Sequence, residues 1–170
     1  MRRSSVNLSP MAAALACALL LTSCSTNEPQ ASATDDGIKL VTYADMTKDY
    51  VDSQADYLLP AAATYPDIST FNLYSDGTFQ DGFGEGRAVY IWNCAWASEY
   101  LKQEDKSSES ALHALEVYAS MEKMDPYIND WDDQSMKIPF VAMVEGARLG
   151  DSSGIQRDTD INCPGGDPRR

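Results

Sequence analysis

One histidine, His113, is all that 170 residues provide. Any nucleophilic mechanism that needs an imidazole base hangs on that single side chain. It sits beside Leu112 with Glu109 and Glu116 near it, which is the setting of a surface histidine on a helix edge. Basic residues are scarce too: 13 Lys and Arg stand against 26 Asp and Glu, a formal net charge of −13. Phosphate binding needs clustered cations, so no nucleic acid is expected as a partner. A polybasic grip on anionic lipid is excluded for the same reason. The surplus acid serves solubility. No CxxC and no Cys/His cluster is present, so no zinc is expected. No apolar run approaches the roughly 20 residues that span a bilayer.

What the chain does have begins at its N-terminus. Arg2 and Arg3 precede an apolar stretch from Met11 to Leu21, and small residues follow it. Charge, short apolar core and small residues are the parts of a secretory signal. Leu21-Thr22-Ser23-Cys24 resembles the lipobox of bacterial lipoproteins, an apolar residue and two small ones before cysteine. The resemblance covers residues 1–24. It implies a cleaved signal peptide over 1–23 and a diacylglycerol-modified, N-acylated Cys24 as the first mature residue. Two or more acyl chains anchor stably where one binds only marginally. The protein is then exported and lipid-anchored to the outer face of the cell membrane, or to an outer membrane if the host has one.

Residues 24–38 are small and polar without apolar period, a tether between lipid and domain. A single domain is expected over 39–163, and 164–170 is a tail. Cys17 leaves with the signal and Cys24 carries lipid, so Cys94 and Cys163 remain. An exported domain permits disulfides, and these two are expected to pair.

The domain is expected to be all-α: a small irregular bundle of about four helices, with room for one short β-hairpin, stapled by the disulfide. Tyr43, Met46, Tyr50 and Tyr57 recur at helical spacing, which predicts a helix over 41–59 ended by Pro60. Phe71, Leu73 and Asp76-Gly77 suggest a hairpin turn. Gly82, Gly84 and Gly86 should break structure before the strongest helix, 87–104, whose apolar residues spread beyond one stripe and predict burial from several sides. A third helix is expected over 108–124, capped by Ser107/Ser108, with Leu112, Leu115, Ala119 and Met121 or Met124 inward, and stopped by Asp125-Pro126. A fourth spans 136–149, with Pro139 in its first turn and Gly150 as its C-terminal cap. A short helix or turn then leads from Asp151 to Cys163.

Four groups bear on chemistry. Trp92-Asn93-Cys94-Ala95-Trp96 puts both indoles on one helix face and Cys94 on the other. The plain reading is core aromatics and a cross-link; the functional one is a Trp92/Trp96 platform for sugar rings. This Trp-x-Cys-x-Trp helix resembles short exported actinobacterial proteins of unknown function, a resemblance that carries no activity with it. Gly82-Phe83-Gly84-Glu85-Gly86 lacks the Lys-Ser/Thr of a phosphate loop and reads as a tight connection. Asp130-Trp131-Asp132-Asp133 and the group Asp76, Asp81, Glu85 offer calcium-type oxygens, but neither fits an EF-hand, so loops and caps are expected and no metal is assigned. No catalytic residue and no cofactor is assigned either. A non-catalytic binding or envelope-associated module with an unknown protein or glycan partner is therefore expected. The alternatives are a carboxylate-based hydrolase of envelope glycans and a small inhibitor that binds another protein.

Overall fold

A two-stranded antiparallel ribbon and six α-helices make up residues 37–163, the part that the computed structural model describes. The signal segment, Cys24, most of the tether and the tail from Pro164 lie outside the described residues. Strand β1, Leu40–Thr42, pairs with β2, Thr78–Gln80, in the register Leu40↔Gln80, Val41↔Phe79, Thr42↔Thr78. The expected hairpin is thus replaced by a long-range pairing. Asp76-Gly77 does form a turn, closed by Gly77 N–H donating to the Tyr74 carbonyl. It leads into a strand whose partner lies before the first helix.

That helix, α1 (Tyr43–Ser53), starts where Thr42 and Asp45 cap each other reciprocally. It stops six residues before the expected end at 59. Residues 54–57 continue only as a turn, because Tyr57, Leu59 and Tyr65 are recruited to cover the next helix. Tyr65 Oη donates to the Tyr57 carbonyl at 2.6 Å, and Tyr50 Oη to that of Pro66 at 2.8 Å, which fixes this connection. Val51 and Leu58 are exposed.

Helix α2, Phe83–Leu101, is the axis of the fold. Its buried residues run round the whole circumference, as expected for a helix packed on several sides. It begins four residues earlier than the glycines suggested. Gly82 takes φ +81° as the N-cap, and Gly84 lies inside the helix where α1 crosses closest. Helix α3 (Glu109–Ala119) packs on α2 and is capped by Ser108 Oγ, which accepts from Ala111 N–H at 3.2 Å. Its inward face is Ala111, Ala114, Leu115 and Tyr118; Leu112 is exposed, one step round from the position expected for it. A 3₁₀ turn, Ser120–Lys123, follows, and Pro126 then opens the short helix α4 (Asp125–Asn129) instead of only ending α3.

A π-type turn, Asp133–Lys137, leads into α5 (Ile138–Arg148), which has Pro139 in its first turn. Gly150 takes φ +94° after it. Asp151 N–H bonds to the Gly146 carbonyl and Gly150 N–H to that of Ala147, a Schellman close. Helix α6 (Ser153–Asn162) packs on α5 and α2 and delivers Cys163 to Cys94. The main core gathers Trp92, Tyr100, Leu115, Tyr118, Phe140, Val144 and Ile155 from α2, α3, α5 and α6. Each such side chain contributes roughly 1.5–3 kcal/mol through burial. The mainly helical class and the single disulfide expected from the sequence are both present.

Candidate functional site

On α2, Gly86, Val89, Tyr90, Asn93 and Cys94 recur at spacings of three and four, so they share one face. That face is not fully covered. It floors a groove of about 530 Å³. Pro139, Phe140 and Met143 of α5 form the opposite wall, at the same helical spacing. Trp131 and Met136, from the segment between α4 and α5, flank it. Met121 and the end of α6 complete the lining. The disulfide sits in this wall: Cys94 and Cys163, 69 residues apart, have Cα atoms 5.7 Å apart. It ties the floor to the α6 end and fixes their spacing.

The lining is apolar and adaptable. Trp131 meets Phe140 edge-on, with centroids 5.5 Å apart at 86°. Met121, Met136 and Met143 are flexible, polarizable side chains that repack round a guest. Polar groups are few. Asn93 lines the floor, and its side-chain nitrogen is buried without a hydrogen-bond partner. Such an orphan costs about 1–3 kcal/mol. Asp130 is exposed at the edge, and Asp158 accepts from Asn162 Nδ2 at 2.6 Å. No lysine or arginine lines the groove. Tyr90 Oη donates to the Asn162 carbonyl, and burial raises its phenol pKa. Behind Phe140, the Tyr118 hydroxyl is likewise buried without a partner; burial, then the Asp158 charge, pushes its pKa well above the ordinary phenol value.

The residues singled out by sequence mostly take structural roles. Trp92 is only 3 % exposed and lies in the core, so it offers no face to a sugar. Trp96 is half-buried; its indole N–H donates to the Leu58 carbonyl at 2.9 Å, and its ring meets His113 edge-on at 5.6 Å. The two indoles therefore make no open platform, because the close packing round α2 consumes both. Asp81 pairs with Lys39, and Glu85 accepts from Tyr57 Oη at 2.6 Å. Asp76 is exposed in its turn. Asp132 caps the π-type turn: it accepts from Ser135 Oγ at 2.7 Å and from the backbone of Ser135 and Gln134, which holds its carboxyl below the usual range. Asp133 pairs with Lys137 at 2.9 Å. Among the described residues, no three His, Cys, Asp or Glu side chains gather as a metal would require.

In the sequence, Asn93, Trp131 and Asp130 stand out only through their neighbours; the fold makes all three groove residues. Asp158 and the three methionines carry no motif at all. For Asn93 the signal is an asparagine inside the most apolar helix. Comparison with known protein families, with curated proteins and with solved structures finds no match. No described helix is long and apolar enough to cross a membrane.

Proposed function

We propose that this protein is a non-catalytic binding module, held outside the membrane by lipid on Cys24, and that the groove beside Cys94–Cys163 is where it binds. One observation carries the reading: an apolar groove of about 530 Å³ with a partnerless buried amide at its floor. That volume is in the range of small-ligand sites, which are largely apolar with a few polar groups that set orientation. A buried amide left unsatisfied is a standing cost that a bound acceptor removes. Of the acids that the sequence offered a hydrolase, Asp81, Glu85, Asp132 and Asp133 are engaged in ion pairs, a tyrosine bond and a cap. The anchor is supported by Leu21-Thr22-Ser23-Cys24 and the polar tether behind it.

Binding of the neutral dye N-phenyl-1-naphthylamine tests the groove. Gly86 stands at its edge, exposed, with open space where a Cβ would lie. Gly86→Phe should lay a ring across the opening, weaken the dye at least about tenfold and leave melting intact. Equal affinity of wild type and variant would remove the groove from the account.

A further inference from the structure

We infer that the groove takes a small organic cation: an apolar or aromatic body carrying one ammonium group and one carbonyl-type acceptor. The inference rests on the groove being the binding site and adds the class of its ligand.

Charge selects the cation. Asp130 and Asp158 are the charged residues of the lining. Three cations near these elements are engaged elsewhere. Lys137 pairs with Asp133 and donates to the Ile128 carbonyl, Arg87 lies over the Phe71 and Phe83 rings, and Arg148 holds Glu116 and Glu145. An anion in the groove would meet two carboxylates and no cation in the lining. A neutral guest can fill the apolar walls but gains nothing from those carboxylates. An ammonium group gains from either carboxylate, and the lining also holds Trp131 and Tyr90, ring types over which a cation rests well. Quaternary and tertiary ammonium groups suit such a site best, because their own desolvation is cheap beside that of a primary amine.

Asn93 selects the acceptor. Its buried nitrogen has a proton to donate and nothing to receive it. A carbonyl oxygen that reaches the floor completes this bond, while the apolar body fills the space between Phe140, Met143 and Val89. Asn93 lies on the floor helix and Asp158 on α6, which the Cys94–Cys163 disulfide ties together, so the acceptor position and this carboxylate are held on linked elements. That rigidity favours a ligand of matched length.

Calorimetric titration of the full-length, oxidised chain with benzoylcholine tests this. The comparison ligand is its neutral isostere, in which a quaternary carbon replaces the nitrogen. The cation should bind about tenfold more tightly, the sum of a partly exposed ion pair and a cation–π contact. Raising the salt should shrink that preference and leave the neutral ester unchanged. The double variant Asp130→Asn/Asp158→Asn should bind both esters alike. Asn93→Leu should weaken both esters by a similar factor, because both carry the carbonyl. If the neutral ester binds as tightly as the cation, the ligand class is wrong and the groove reading stands. If neither ester nor the neutral dye binds, the groove reading falls and this inference with it.

Discussion

Gly84 is the place where the packing of this fold can be tested most sharply. A Cβ placed there lies 2.3 Å from the Met46 carbonyl oxygen, 2.6 Å from the Tyr50 nitrogen and 2.9 Å from Asp49 Cβ. Comfortable carbon contacts lie near 3.5–4.0 Å, so α1 would have to retreat by about 1 Å. Two of the three atoms are backbone and cannot rotate away. The retreat would lengthen the bond from Glu85 N–H to Asp49 Oδ2, now 2.8 Å, and pull Tyr50 off Ala88 and Ile91. Overpacking of this kind costs about 1–3 kcal/mol and sometimes more, against which the helix preference of alanine returns ~1 kcal/mol. Gly84→Ala should therefore destabilise by about 2 kcal/mol at the strained end of that range, or roughly 10 °C in a domain of this size. Gly86, two residues on in the same helix, is the control. Nothing lies within 4 Å of the point where its Cβ would sit, so Gly86→Ala should gain about 0.5–1 kcal/mol. Thermal melts of both variants with the disulfide intact give the comparison. A Gly84→Ala protein that melts with or above the wild type would refute the close α1–α2 approach.

Three further outcomes are expected. Replacing Cys94 and Cys163 by alanine opens a loop of 69 residues and should cost about 4 kcal/mol in the chain-entropy account, read from denaturant midpoints; an unchanged midpoint contradicts it. Asp45, Asp67, Asp105, Asp132 and Asp151 all carry carboxyls lowered foremost by side-chain hydrogen bonds from Thr or Ser. Their stabilisation is present above the ordinary Asp value of about 3.9 and is lost as pH falls through the lowered values, so melting should drop below about pH 4 and less so in Asp132→Asn. A flat acid limb would show that these caps contribute nothing. Cys24→Ala should abolish labelling of the protein by a fatty-acid probe in cells; equal labelling would end the anchor proposal.

Much of the fold is legible in the sequence because it is local. The 3.6-residue period over 87–104, Ser108 as a cap, Pro139 in a first turn and Gly150 at a close all depend on neighbours in sequence. The pairing of Cys94 with Cys163 is long-range, and is legible only because two cysteines remain once Cys17 and Cys24 are set aside. What is not legible depends on distant partners. Val41 goes into a strand because Phe79 lies opposite it, and no local pattern announces that. The helix over 43–53 stops early because Tyr57 and Tyr65 are needed against α2. Gly84 looks like a helix breaker alone and becomes a helix contact when α1 arrives. The groove is the extreme case, since its walls come from several helices and the turns between them. Only Asn93, polar at the heart of an apolar helix, marks it in the chain.

The most direct measurement is the side-chain amide spectrum of ¹⁵N-labelled protein during titration with the neutral dye. The account predicts that the Asn93 amide resonance moves, together with the backbone amides of Val89, Tyr90, Trp131 and Met143, while the Trp96 indole N–H, bonded to Leu58, stays in place. Shifts centred on Trp96 and His113, with Asn93 unmoved, would contradict it.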